Sequence, residues 1–427
     1  MTANAPKLAR KLGLFNATML VMGGIVGAGI FINPYVVAQQ VHTPTLIMLA
    51  WIVGGGVSLI GAFIYAELSR RMPETGGQYA YIRNAYGDML AFLYGWALLL
   101  VVQTGGMAAV AVTFSRYFLD LTGLHTAEWI PAVLALLILT IVNALGVRSG
   151  GSMQSGLMLT NILSICALVI FGLMVKGAAP DISAPQHVSG LAGFGTALIP
   201  VLFAYGGYQT SCFVAGEMKN PRRDLPRALV FGVTGVAALY LSVSWVCLRA
   251  LGPERLAITK APASAVMRMA LGNAGAKVIA LGIAISALGF LAQGILTAPR
   301  VYFAMAEDGV FFRPVAWVTK GTRVPLVAIT MQSVWTVVIL LTGSFEQILN
   351  YVESVDAIFF AVTASVLLFK WGRELKAALW FGALTYIAVN AFMVVNTVWR
   401  YPRNTLIGIA ILASGIPVYL LRRKWQR

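Results

Sequence analysis

Charge is what this chain has least of. Asp, Glu, Lys and Arg make up 11% of its 427 residues, against about 25% in a soluble globular chain. Residues of hydrophobic type make up 59%, and the mean hydropathy is +0.81. A soluble domain is excluded, and lipid is the expected solvent. In lipid every backbone N–H and C=O must be satisfied internally, so only helices and closed barrels cross it. The apolar runs here are long and unalternating, which selects helices: an all-α membrane protein.

Cysteine and histidine are also scarce. Cys166, Cys212 and Cys247 all fall inside predicted spans with no metal-ligand spacing, so they read as small apolar packing residues. No predicted outer loop holds a cysteine, so no disulfide-linked subunit is expected. His42, His125 and His187 all lie in outer segments. No nucleophile, acid–base pair or metal set assembles from these residues, so neither an enzyme nor a cofactor is expected. No polar linker divides the chain, which reads as one transmembrane domain over residues 1–427.

A span needs roughly 20 apolar residues. The hydropathy predicts twelve, near 14–40, 44–69, 87–118, 130–147, 153–175, 192–216, 228–251, 277–305, 325–343, 348–369, 377–399 and 404–421. The outer loop between the seventh and eighth, about 252–273, is expected to hold a short amphipathic helix. The net charge of +16 suits nucleic acid only if it is clustered in a patch. With the N-terminus inside, 22 of the 31 Lys and Arg fall in cytoplasmic segments. That is a topology signal, not a patch. It predicts cytoplasmic termini in a plasma membrane, with lipid and no nucleic acid as partner.

Transporters are often built from inverted repeats whose first helices are broken near the bilayer centre. The first span carries MGGIVGAGIF, with Gly23, Gly24, Gly27 and Gly29, although glycine inside a helix costs about 1 kcal/mol relative to alanine. The sixth carries FAYGGYQT, with Gly206 and Gly207. Gly27 and Gly206 lie 179 residues apart, and each break opens a block of five predicted helices. Repeat one covers about 12–176, repeat two about 190–370, and two peripheral helices about 376–421. Gly54, Gly55 and Gly56 read instead as close-packing positions between helices.

A helix that restarts in mid-membrane presents free N–H groups and a positive dipole end; one that stops presents free carbonyls. A zwitterion fits both. The N–H groups around Gly27, Ala28 and Gly29 suit a carboxylate, and carbonyls near Ile25, Phe203 and Ala204 suit an ammonium. Backbone alone then recognises an α-amino acid. A channel or receptor is the competing class, and no filter ring of charges or carbonyls is visible for it.

These residues carry a resemblance. GGIVGAGIF, AELSRRMPETGGQYAYIRNAYG, FAYGGYQT, GEMKNPRRDLPRA and SALGFLAQGILTAPRVYFAMAEDG, in this order, resemble the amino acid, polyamine and organocation superfamily, nearest to L-type amino acid transporters and their bacterial relatives. The resemblance implies a LeuT-type fold of ten core helices in a 5+5 inverted repeat plus two peripheral ones, with helices one and six unwound, working by alternating access. It implies substrate contacts at Ile25, Gly27, Ala28 and Gly29 and at Phe203, Ala204 and Gly206, with the Phe203 ring closing over the substrate. Two departures matter. Ala28 stands where many relatives have serine, so one hydroxyl donor is missing. Asn161 stands where many bacterial members have lysine, and asparagine cannot cycle a proton, which favours exchange or uniport over proton coupling.

Asp356 is the deepest ionisable residue, three positions after Glu353 on the tenth span. It is a candidate proton site or a contact for cationic substrates. Glu67 and Glu217, each near arginines, are expected in ion pairs. Further candidate lining positions are Gln103, Thr104, Gly105 and Gly106 on the third span, Tyr208 on the sixth, Ser286, Leu288 and Gln293 on the eighth, and Phe359 on the tenth. So apolar a wall suits neutral amino acids, with proton-coupled symport and cationic amino-acid or polyamine transport as alternatives. Ser286 alone is thin support for a sodium site, so sodium independence is expected.

Overall fold

The computed structural model describes residues 8–177, 191–343, 345–400 and 402–425. His187 and the side chain of Glu353 fall outside the described residues. The first span is not one helix. α1 (Leu14–Ile25) stops where Val26 and Gly27 turn extended, a 3-10 turn occupies Ala28–Phe31, and α2 (Asn33–Gln40) restarts with Pro34 in its first turn. Proline suits that place because it has no N–H to leave unpaired.

α3 (Pro44–Arg71), α4 (Gln78–Tyr86) and α5 (Asp88–Ala97) follow, and α5 runs through a π-turn at Leu98–Val102 into α6 (Gln103–Thr122). Then come α7 (Trp129–Ala144), α8 (Val147–Met174) and α9 (Leu191–Tyr205). The second break follows α9: Gly207 is left-handed at φ 107°, and the chain continues as a 3-10 helix over Tyr208–Glu217. The remainder comprises α10 (Pro221–Ile258), α11 (Pro262–Thr297), α12 (Pro299–Glu307), α13 (Leu326–Thr342), α14 (Phe345–Trp371), α15 (Ala377–Arg400) and α16 (Pro402–Trp425). Gly272, at φ 65°, kinks α11, so Pro262–Leu271 forms the helix expected in the loop before the eighth span.

Eight stretches among the described residues are long and apolar enough to cross a membrane, and α1, α7 and α13 are apolar but shorter. α1 packs between α10 and α8, α3 lies along α10 and α9, and α8 lies against α11. Both broken helices therefore sit inside the bundle, where irregular backbone is tolerated. A methyl on Gly54 would fall 2.4 Å from Val201 Cγ1, and one on Gly55 would fall 3.2 Å from the Tyr205 hydroxyl, so these two glycines let α3 approach α9. Gly56 does not share that role, because nothing lies within 4 Å of where its methyl would be.

Beyond its break, the second broken helix is clasped to the segment that precedes α1. The N–H groups of Lys11 and Leu12 donate to Glu217 O at 2.9 and 3.0 Å, and Lys219 N donates back to Leu12 O at 2.9 Å. The Glu217 carboxylate meets Arg300 of α12, whose Nε and Nη2 lie 3.2 and 3.1 Å from Oε1. Both side chains are fully buried. Glu67 pairs with Arg70 and Arg71, and Arg71 also reaches Glu374 at 2.8 Å.

Breaking a buried pair by removing one partner costs about 3–5 kcal/mol, whereas replacing both by apolar groups is often neutral. Glu217→Leu and Arg300→Met are each expected to lower the thermal unfolding midpoint of the detergent-solubilised protein. The double variant is expected to recover most of that loss in the same measurement.

Candidate functional site

The two breaks touch through their backbones. A methyl on Gly207 would lie 1.9 Å from Gly24 O, and one on Gly24 would lie 2.6 Å from Gly207 O. Side chains fix the crossing. Thr210 Oγ1 donates to Gly207 O at 2.6 Å, Gln293 of α11 donates to Thr210 Oγ1 at 2.5 Å, and Gly207 N donates to the Gln209 side-chain carbonyl at 3.0 Å. On the other side of α1, Gln154 of α8 donates to Met19 O at 2.9 Å.

The breaks leave main-chain groups open. Among the described residues no protein acceptor takes the N–H groups of Gly27, Ala28 or Gly29, which are the first donors of a helical turn. On the carbonyl side, the Tyr240 hydroxyl of α10 lies 3.1 Å from Ile25 O and 3.4 Å from Ala204 O. One hydroxyl thus spans both breaks. Tyr240 is itself held in an aromatic cluster, edge-on to Trp51 at 5.7 Å and 5.1 Å from Tyr205. Phe203 O is taken by Gly206 N at 3.0 Å.

A cavity of about 360 Å³ surrounds these groups. Ile25, Gly27, Ala28, Gly29, Phe203, Ala204 and Gly206 all line it, and so does Asp356. Phe203 is 42% exposed. Gln103, Gly106, Tyr208 and Gln293 also line the cavity, while Thr104, Gly105, Ser286, Leu288 and Phe359 do not. Asn161 stands apart from the lining: it is buried and donates to Ser286 Oγ at 2.8 Å. Sequence reasoning missed Tyr240 and the whole α15 wall of Tyr386, Val389, Asn390 and Met393. The cavity runs from the breaks toward Asn33, Thr113 and Met393 and includes neither Glu217 nor Arg300.

The amino acid permease family model matches residues 12–418. The chain belongs to the amino acid permease family. Similar proteins include the human large neutral amino acids transporter small subunit 2, 29% identical over 98% of this chain and 81% of that protein. The serine/threonine exchanger SteT of Bacillus subtilis (strain 168) is 29% identical over 98% of both chains. The mouse Asc-type amino acid transporter 1 is 27% identical over 98% of this chain and 82% of its own. With its apolar helices, this permease is a multi-pass membrane protein.

Within the permease, Gly207 is the position where any side chain is least tolerable, because positive φ and a backbone neighbour act together. Gly207→Ala is expected to abolish uptake or folding, and Gly56→Ala to leave both near wild type, in parallel expression and uptake measurements. Tyr240→Phe removes only the hydroxyl. A net hydrogen bond is worth about 0.5–1.5 kcal/mol, so a rise in substrate KM of about 2- to 10-fold is expected in an uptake titration.

Proposed function

We propose that this permease exchanges neutral L-amino acids across the membrane by alternating access, independently of sodium. The observation that carries the reading is the pair of breaks. Unpaired N–H groups at Gly27, Ala28 and Gly29 and carbonyls at Ile25 and Ala204 face one cavity. These are the complements of a carboxylate and an ammonium. The Tyr240 hydroxyl lies within hydrogen-bond distance of both carbonyls and shares its one proton between them, so the ammonium acceptors stand close together in advance. The apolar remainder of the wall suits neutral side chains.

The relatives named above, a large neutral amino acids transporter subunit, an Asc-type amino acid transporter and a serine/threonine exchanger, support the same reading. In it the chain has a LeuT-type fold of twelve spans, two inverted repeats of five helices and two peripheral helices, with both termini cytoplasmic in a bacterial inner membrane. The cavity's extent, away from the Glu217–Arg300 end, then corresponds to an outward-facing state closed on the inside. Asn161 spends its amide on Ser286 and has no proton to cycle, which favours exchange over proton symport.

In proteoliposomes, uptake of a radiolabelled neutral amino acid is expected to rise several-fold when unlabelled amino acid is loaded inside, with no dependence on sodium or on a pH gradient. Collapse of uptake when the proton gradient is dissipated would overturn the exchange reading. Amino acids with a blocked carboxylate or a blocked α-amine are expected not to compete.

A further inference from the structure

A second cavity, of about 510 Å³, lies away from the breaks, beside the clasp that joins the segment before α1 to the start of α10. Four cations line it, Arg10 from the first segment and Lys219, Arg222 and Arg223 from the second, with the Asn220 amide among them and no acidic side chain. All four are exposed, so an incoming ligand can reach them. Among the described residues no ion pair or side-chain hydrogen bond engages any of the four.

Other crowded arginines of this chain meet acids: Arg70 and Arg71 share Glu67, and Arg83 lies between Asp88 and Asp308. Here the acids nearest in sequence do not serve. Glu217 is taken by Arg300, while Glu74 and Asp224 stand outside the lining. Like charges gathered in one cavity repel, yet the main-chain bonds of Lys11, Leu12 and Lys219 keep their backbones together. Water and salt screen part of that repulsion. An anion seated among the four turns it into attraction.

The donors define the anion. Three guanidinium groups and one ammonium, coming from two segments, suit a group with several acceptor oxygens open to more than one direction of approach. A phosphate has them, whereas a carboxylate offers one planar edge. We propose that this cavity binds a phosphate group, borne by an anionic lipid headgroup or free in solution, and that the bound group fastens the segment before α1 to the start of α10. With the termini cytoplasmic, as in the function proposed above, the lipid source is the leaflet whose anionic headgroups attract basic segments.

Thermal unfolding of the detergent-purified full chain, titrated with phosphatidylglycerol, phosphatidylcholine or inorganic phosphate, tests the site. Phosphatidylglycerol is expected to raise the midpoint and phosphatidylcholine to leave it unchanged. Arg10→Gln, Lys219→Gln, Arg222→Gln and Arg223→Gln are each expected to weaken the apparent affinity about fivefold; Lys320→Gln, outside the cavity, is expected to leave it unchanged. The replaced side chains are exposed and unpaired, so each single variant is expected to fold. Stabilisation by inorganic phosphate, lost in the same four variants, assigns the site to the free anion; stabilisation by phosphatidylglycerol alone assigns it to the headgroup. No stabilisation by either phosphate source would overturn the site, as would unchanged affinity in all four variants or equal weakening by Lys320→Gln.

Discussion

Two main chains cross at Gly24 and Gly207 with no room for a methyl group on either, and most of the structure near the site follows from that contact. A helix inside a bundle normally hides its polar backbone. Here two helices give it up at the same level, and each break becomes the other's neighbour. Part of the cost is met by side chains: the Thr210 and Tyr240 hydroxyls bond carbonyls at the breaks, and Gln293 and Gln154 brace them through Thr210 Oγ1 and Met19 O. The groups that remain open face the cavity. In the proposed function, recognition is therefore a by-product of where the bonding stops.

The same crossing explains the distribution of small and large residues. Gly54 and Gly55 let α3 approach α9, and the space beside them is filled by Trp51, Tyr205 and Tyr240, with ring centroids between 5.1 and 5.9 Å apart. That cluster aims the Tyr240 hydroxyl at two carbonyls on different helices. Below the breaks, the Leu12–Met218 bridge and the Glu217–Arg300 pair tie the start of α1 to the end of the second broken helix. α1 and the Tyr208–Glu217 helix are thus joined to each other as well as to the bundle.

The breaks were legible in the sequence because glycine in an apolar span contradicts its local helical context, and the contradiction recurs at matched places. The lining positions on those breaks followed directly. Tyr240 was not legible. A tyrosine within an apolar run reads as packing, and nothing local reveals that its hydroxyl reaches carbonyls 36 and 215 residues away in sequence. The α15 wall was missed for a related reason, since Tyr386 and Asn390 lie on a span expected to be peripheral. Gly56 shows the opposite error: beside Gly54 and Gly55 it looks like a packing residue, but the helix turns it away from α9. Ser286 and Asn161 were each placed near the site by sequence, and the structure pairs them with each other instead.

The open N–H groups at Gly27, Ala28 and Gly29 have a consequence for descent. Because every residue carries the same amide, point mutation cannot delete such a donor unless it introduces proline or shifts the bend. In the proposed function, the means of holding an amino acid is thus inherited with the path of the chain and shielded from drift in side-chain identity. Variation among descendants is left to fall on the walls, where a side chain can change without altering the path of the backbone.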